Sequence, residues 1–318
     1  MFKIAIQSDP LNTLNYTSDS SYLLALALQE HNVEIFCYEP KYLSLKNNKV
    51  IATKGSKVRF NSSLSSPYEE VETDLELDLH KFTAVLIRQD PPFDMNYITG
   101  TYLLDMLKSQ VFVMNDPSTL RNYPEKLIAH AIFPEYTIPT LISQDINCLG
   151  NFQKKLYKEE GASVVLKPLY DFGGRNVKLM ETYDHPLLNK YIKEHGTIVM
   201  QRFMPAIREG DKRVLIAFGK ILGVFKRVPV KGSILANMAQ GGIPTASGLS
   251  SAEAKTCDII ATKLYNMGIY FAGLDLIDGK IMEINHTSPT GLRYMNDLYS
   301  GNAEKLLAEK IIDHIERR

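Results

Sequence analysis

Phe271 to Arg293, FAGLDLIDGKIMEINHTSPTGLR, carries two carboxylates and an amide, Asp275, Glu283 and Asn285, on what reads as one β-hairpin. In extended backbone Glu283 and Asn285 share a face, while Met282 and Ile284 point to the other. Asp278-Gly279 signals the turn. A strict two-residue turn would pair Asp275 with Met282 and face it away from Glu283. A three-residue loop, Asp278-Gly279-Lys280 with the glycine left-handed, sets Asp275 opposite Glu283, and all three side chains converge. Such an oxygen set suits magnesium, which takes one or two protein carboxylates and completes its octahedron with water and substrate phosphates. The hairpin therefore hints at a nucleoside triphosphate nearby. The alternative is a half-solvated antiparallel strand whose polar face is acidic.

The rest of the chain bounds the choice. Its 318 residues suffice for two or three domains, and 45% apolar with 23% charged residues describes an ordinary globular protein. Thirty-six basic against 36 acidic side chains leave no global field to attract nucleic acid or an anionic membrane. No basic, apolar leader or membrane-length run is present, so a cytoplasmic protein is expected. Cys37, Cys148 and Cys257 are widely spaced and indicate neither a disulfide framework nor a zinc site.

Strand patterns at Phe2–Gln7 and Val33–Tyr38 flank a helix over Ser20–His31, and those at Ala84–Ile87 and Val111–Met114 flank another over Met95–Lys108. This predicts a parallel α/β layer. Ligands then belong at the carboxyl ends of its strands, where Ser8-Asp9, Arg88-Gln89-Asp90 and Asn115-Asp116 fall. Asn47–His80 reads as a peripheral hairpin and mobile loop. After Asn122 come helices at Pro124–Ile132, Gly150–Glu160 and Pro186–His195, with strands at Ser163–Pro168 and Val177–Met180. Strands at Thr197–Met204, Lys212–Gly219, Lys220–Val228, Ile269–Ile277 and Lys280–Asn285 then dominate, beside helices at Ser251–Met267 and Asn302–Glu316. The long loop Pro229–Gly248 reads as a functional lid.

Three cationic positions suggest anion chemistry. Lys167 ends a strand just before Gly173-Gly174, so an ammonium and turn N–H groups could meet polyphosphate. Lys126 opens the helix after Asn122 and could reach the same phosphates. Arg213 starts a strand of the hairpin's own sheet and could stabilise a transferring phosphoryl group. Each has a plainer reading, as a solvated lysine or a charged hairpin end.

Together these parts match an ATP-dependent carboxylate ligase, and the chain resembles the bacterial glutathione synthetases of the ATP-grasp superfamily over essentially its full length. The resemblance rests on Arg88-Gln89-Asp90-Pro91-Pro92-Phe93-Asp94, Leu166-Lys167-Pro168-Leu169, Gly210-Asp211-Lys212-Arg213-Val214, and Gly273-Leu274-Asp275 through Glu283-Ile284-Asn285-His286-Thr287-Ser288-Pro289-Thr290. It implies a parallel α/β substrate-binding domain at 1–121, an ATP-grasp small lobe at 122–202 with a phosphate turn at 170–174, and a C-terminal lobe at 203–318 with the lid at 229–248. It further implies that Lys126, Lys167, Gly173 and Gly174 hold ATP phosphates. The strand at Gln201, Arg202 and Phe203 would read adenine through its backbone, and Asp211 would contact ribose or nearby polar groups. Asp275, Glu283 and Asn285 would carry two Mg²⁺ or Mn²⁺ ions. Arg88 and Arg293, with Ser20 and Asn237, would bind the peptide substrate. The implied reaction joins γ-glutamylcysteine to glycine through an acyl phosphate, releasing ADP and phosphate, in a homo-oligomer, tetramer or dimer.

The chain departs from that pattern at the phosphate turn, where Asp171-Phe172-Gly173-Gly174 replaces G-x-G-G. It departs again in the lid, where Leu235 and Ile243 stand at positions that hold arginine in well-known members. These differences keep two alternatives open: a related ATP-grasp ligase for another acid and amine, or a degenerate ATP-binding module.

Overall fold

A computed structural model describes residues 1–318. Short apolar runs build parallel strands β1 (Lys3–Gln7) and β2 (Glu34–Tyr38), joined by helix α1 (Ser20–Glu30), which Asp19 caps by accepting from the Tyr22 N–H at 2.7 Å. Then follow β3 (Leu43–Lys46), β4 (Lys49–Phe60), β5 (Tyr68–Asp78), β6 (Ala84–Ile87), α2 (Met95–Asp105), β7 (Phe112–Met114) and α3 (Pro117–Asn122). The sheet runs β3-β4-β2-β1-β6-β7, with β5 on β4; β2, β1, β6 and β7 are parallel. Alternation sends Ile4, Ile6 and Leu86 toward α1, and Ala5, Val85 and Ile87 toward Tyr97 and Leu104 of α2 on the other face.

The hairpin expected within Asn47–His80 forms, but the mobile loop shrinks to the connection between two strands of 12 and 11 residues. Lysines of β4 face acids of β5, as in Lys54 with Asp74 at 2.6 Å, and this cross-strand pairing organises a segment whose serine content suggests a loop.

The second half starts with α4 (Glu125–Ile132) and β8 (Thr140–Ser143), a strand within a stretch that reads as turn-rich. With α5 (Ile146–Glu160), β9 (Val164–Pro168), β10 (Lys178–Met180), α6 (His185–His195) and β11 (Ile198–Arg202) it forms an antiparallel sheet of order β10-β9-β11-β8. Val164, Leu166, Ile198 and Met200 pack under α5 and α6, which leaves Lys167 and Gln201 on the opposite face.

A third sheet, β14-β13-β12-β15-β16, combines β12 (Asp211–Ala217), β13 (Lys220–Val228), β14 (Ile243–Ala246), β15 (Phe271–Ile277) and β16 (Lys280–Asn285). Val214, Ile216, Leu274 and Ile284 pack on α4 and on α7 (Ser251–Asn266), whose start is a capping box of Ser250 and Glu253. After α8 (Leu292–Tyr299), the last helix α9 (Ala303–Glu316) returns to the first sheet, where Leu307 and Ile311 join Leu24 and Leu28 in one core. Truncating either α9 side chain to alanine would cost about 2–5 kcal/mol. Asn115 fastens the sheets together: its amide donates to the carbonyls of Phe271 and His286, both at 2.7 Å, and accepts from the N–H groups of Tyr270 and Phe271. No helix is long and apolar enough to cross a membrane.

Candidate functional site

The hairpin of β15 and β16 has the expected register, Asp275 opposite Glu283, for a different local reason. The turn is the tight two-residue Asp278-Gly279, both left-handed at φ 48° and 71°, so Ile277 pairs with Lys280. The extra residue sits inside β16, where Met282 bulges between Ile281 and Glu283. Asp275, Glu283 and Asn285 share the face that also presents Asp211 and Arg213 from β12 and Arg227 from β13.

That face is a row of alternating charges. Arg213 donates Nε to Asp275 Oδ1 at 2.6 Å and a second N–H to Oδ2 at 3.1 Å. Arg227 reaches Asp275 Oδ2 at 3.0 Å and holds Asp211 through both carboxylate oxygens, Nε to Oδ1 at 2.8 Å. All four side chains are buried. Burial alone would raise the Asp275 carboxyl, but Arg213 and Arg227 hold it below the ordinary carboxylate range. Asn285 adds a donor to Asp275 Oδ2 at 3.1 Å. Asp211, expected near ribose, thus lines the cleft with its oxygens turned to Arg227.

Opposite lies the lysine side. Lys126 is buried, donates to the Asp171 carbonyl, and stands 3.5 Å from Glu283 Oε1. Lys167 donates to Gln201 Oε1 at 2.8 Å, and Gln201 passes the chain on to Thr140. Lys167 has no carboxylate within ion-pair distance, and burial pulls its ammonium below the usual lysine range. A buried cation with no carboxylate partner, facing a cleft, is a place for an anion.

Gly173 and Gly174 are left-handed, at φ 64° and 75°. A side chain on Gly174 would meet Asn237 Oδ1 of the lid at 2.7 Å, and Gln240 of the lid donates to the Gly173 carbonyl at 3.1 Å. The lid therefore rests on the turn. Asp171 stays in the cleft wall, one of its carboxylate oxygens accepting from the Asn176 amide at 2.8 Å. Of the two lid positions that depart from the family pattern, Leu235 lines the cleft and Ile243 is exposed on β14.

These residues enclose about 810 Å³. One end is charged; the other is walled by Ile207, Ile277, Met282 and Ala236, with Phe203, Met204 and Ile234 against them. At that end the Arg202 and Phe203 N–H groups already bind the carbonyls of Pro139 and Ser163, at 2.9 and 2.8 Å. The Met204 N–H has no partner within the chain and is the backbone donor left for a ligand.

The expected peptide-binding residues scatter. Arg88 is 4% exposed, donates to Ser21 Oγ at 2.9 Å and to the Pro289 carbonyl at 3.0 Å, and meets no carboxylate within ion-pair distance. Ser20 is not open to a ligand: its Oγ accepts from the N–H groups of Gly291 and Leu292 and ties α1 to α8. Arg293 lies on the first turn of α8, paired with Asp297 at 3.2 Å and outside the cleft wall.

Sequence reading misses Arg227 and Glu125. Arg227 ends a strand among Lys226 and Val228 and reads as solvated; only the bulged register of β12 with β13 brings it to Asp211. Glu125 Oε1 accepts from the N–H groups of His286 and Thr287, at 2.7 and 2.9 Å, and so fixes the chain after Asn285. Its position beside Lys126 was the available signal.

Comparison with known proteins agrees with this geometry. The model of the prokaryotic glutathione synthetase N-terminal domain matches residues 2–121, and that of the prokaryotic glutathione synthetase ATP-grasp domain matches 125–300. The chain is 37% identical to a glutathione synthetase of Rhodopseudomonas palustris, covering 99% of this chain and 98% of the relative. It is 34% identical to that of Vibrio parahaemolyticus, over 100% and 99%. Among solved structures, the D-cycloserine synthetase DcsG superposes with a TM-score of 0.66 at 11% identity, covering 98% and 99% of the two chains, and the macrocyclase MdnC with 0.62 at 14%, covering 98% and 100%; these share the fold. With both domain models matched in order and relatives aligned end to end, the chain belongs to the prokaryotic glutathione synthetase family.

Proposed function

We propose that this chain joins γ-glutamylcysteine to glycine at the expense of ATP, forming glutathione through an acyl phosphate in the cleft between β9/β11 and β12/β15. The observation that carries the reading is the bipolar cleft itself. Its apolar end, with the unpaired Met204 N–H, suits a flat heteroaromatic base, and its charged end presents Lys126, Lys167 and the Gly173-Gly174 turn to a polyphosphate.

The donor set fits a hard divalent cation. Two carboxylates and an amide on one strand pair, Asp275, Glu283 and Asn285, accord with magnesium's preference for few protein carboxylates and many phosphate or water ligands. Glu283 has only Lys126 for company, and Asn285, donating through Nδ2, leaves its carbonyl oxygen available. Asp275 also lines the cleft, but Arg213, Arg227 and Asn285 all meet its Oδ2, so it would join only by giving up part of that pairing. Two Mg²⁺ or Mn²⁺ ions would be held by Asp275, Glu283 and Asn285 and would supply Lewis-acid neutralisation of charge on the transferring group.

The chain's own residues supply the rest. Lys126 and Lys167 orient the phosphates, and Arg227, which lines the cleft and is held by Asp211, offers a guanidinium toward the γ-phosphate, whereas Arg213, expected in that role, lies behind Asp275 and outside the cleft wall. The cysteinyl carboxylate attacks that phosphorus, ADP leaves, and the glycine amine displaces phosphate from the acyl group. An acyl phosphate hydrolyses readily, so the lid at 229–248, already seated on the phosphate turn, has the task of excluding water. The proposed division into 1–121, 122–202 and 203–318 is supported by the sheets, which occupy residues 3–114, 140–202 and 211–285.

The test is ADP release by the purified protein with Mg²⁺-ATP and γ-glutamylcysteine, with and without glycine. Glycine-dependent release is the expected result. Release that ignores glycine, or none with either substrate, would overturn the reading.

A further inference from the structure

Few polar contacts hold residues 140–202 to the rest of the chain. No hydrogen bond or ion pair joins them to residues 1–121. Apart from bonds to the flanking Ile138, Pro139, Phe203 and Met204, their polar contacts with other segments fall on the phosphate turn: Lys126 donates to the Asp171 carbonyl, and Gln240 to that of Gly173 at 3.1 Å. A third contact reaches the same turn from the first domain. There the ring of Phe93 stacks on that of Tyr170, with centroids 6.1 Å apart and planes 13° from parallel.

The Phe93 side of the stack is stiff. Pro91 and Pro92 fix the backbone before it, and Asp94 just after it caps α2 at the N–H groups of Asn96 and Tyr97, both at 2.9 Å. Its ring also packs on that of the buried Tyr97, 5.1 Å away. The same segment is tied to the loop after β16, since Ser288 Oγ donates to the Arg88 carbonyl and Arg88 to that of Pro289, both at 3.0 Å. The Tyr170 side is the reverse. Tyr170 is 51% exposed, stands outside the core of its own sheet and makes no hydrogen bond through its hydroxyl, so the stack on Phe93 is what places its ring.

Of the three contacts on the turn, two are made by groups with another task once nucleotide enters: Lys126 turns to phosphate, and Gln240 moves with the lid. The stack has no such conflict, because neither Phe93 nor Tyr170 lines the ATP cleft. Both border a neighbouring crevice together with Glu125, Lys126 and Thr287, so the pair stands beside the phosphate lysine without competing for ligand. Aromatic rings at this spacing attract beyond the area they bury. We propose that Phe93 and Tyr170 are positioning residues, a clasp by which the first domain holds the phosphate turn down over bound nucleotide and slows its release. This rests on the cleft beneath the turn being the nucleotide site.

Stopped-flow release of a fluorescent N-methylanthraniloyl-ADP, loaded with Mg²⁺ on the full-length protein, is the test. Tyr170→Ala and Phe93→Ala should each speed release about 3- to 10-fold, the size of one aromatic pair. The double variant should be no faster than the faster single, because either change removes the whole contact. Tyr170→Phe keeps the ring and loses only an unbonded hydroxyl, so it should restore wild-type release. The urea midpoint of Tyr170→Ala should match wild type, since a half-exposed ring is removed. Wild-type release from Tyr170→Ala, single effects that multiply in the double variant, or a Tyr170→Phe protein as fast as Tyr170→Ala would each overturn the proposal. If Phe93→Ala fails to fold, the two Tyr170 variants decide alone. Failure of the wild-type protein to bind the ADP probe would instead defeat the nucleotide reading beneath the proposal, and the proposal with it.

Discussion

Asp275 and Glu283 stand opposite each other across β15 and β16, yet one is locked between two arginines and the other faces the cleft with a single lysine 3.5 Å away. The hairpin thus has one carboxylate that also holds the sheet's charge row together and one that meets the cleft with a single charged neighbour.

Glu283→Gln should therefore abolish turnover, by at least about 100-fold, with little loss of stability, since only one long ion pair is removed. Parallel measurement of kcat and of the urea midpoint checks it. A large fall in the midpoint, or retained activity, would contradict the assignment.

Asp275→Asn should behave oppositely toward the fold. It leaves two buried guanidiniums short of a counter-charge, and breaking such a pair costs about 3–5 kcal/mol. Denaturant unfolding should register that loss, and a midpoint unchanged from wild type would show that the row is not a structural unit.

Arg227 and Asp211 should be coupled. Arg227→Met strands the Asp211 carboxylate, whereas Arg227→Met with Asp211→Asn removes that stranded charge and leaves Asp275 on Arg213, so the double variant should be less destabilised than the sum of the singles by about 0.5–3 kcal/mol. Strict additivity would mean that the fork seen between them contributes nothing.

Lys167 carries a pH prediction. Burial holds its folded pKa below the ordinary value of 10.5, with Lys126 adding to the effect and Glu283 opposing it. Folding is penalised by the buried ammonium below the folded pKa, and the penalty disappears as pH rises through the window up to 10.5. Phosphate binding needs the charged form, so ADP affinity should fall across that same window. Lys167→Arg stays protonated and should flatten the fall. Identical slopes for both proteins in calorimetric titrations from pH 7 to 10.5 would remove Lys167 from the phosphate site.

Much of this was legible in the chain. The parallel strands are short apolar runs with capped helices between them, and their boundaries follow from local composition. The convergence of Asp275 with Glu283 was legible too, although the extra residue sits in a bulge at Met282 rather than in the turn, a choice fixed by how a two-residue turn matches strand twist. What sequence spacing could not carry was long-range register. Arg227 meets Asp211 only because β12 and β13 slip between Leu215 and Ile216, and Ser20 is closed off by backbone from residues 291 and 292. Composition misled at Asn47–His80, where charge pairing across two strands outweighs the serines.

The lid offers another test. Leu235 stands in the cleft wall where well-known members of the family carry a cation, so Leu235→Arg should lower KM for γ-glutamylcysteine by about 10-fold, the value of one charged hydrogen bond. An unchanged KM would show that the substrate's charge is met elsewhere.

The most direct measurement uses γ-glutamylcysteine labelled with ¹⁸O in the cysteinyl carboxylate, with Mg²⁺-ATP and glycine, reading the masses of peptide product and inorganic phosphate together. Activation by phosphoryl transfer predicts glutathione formed in step with phosphate that carries one labelled oxygen. Unlabelled phosphate, or no tripeptide while ATP is consumed, would contradict it.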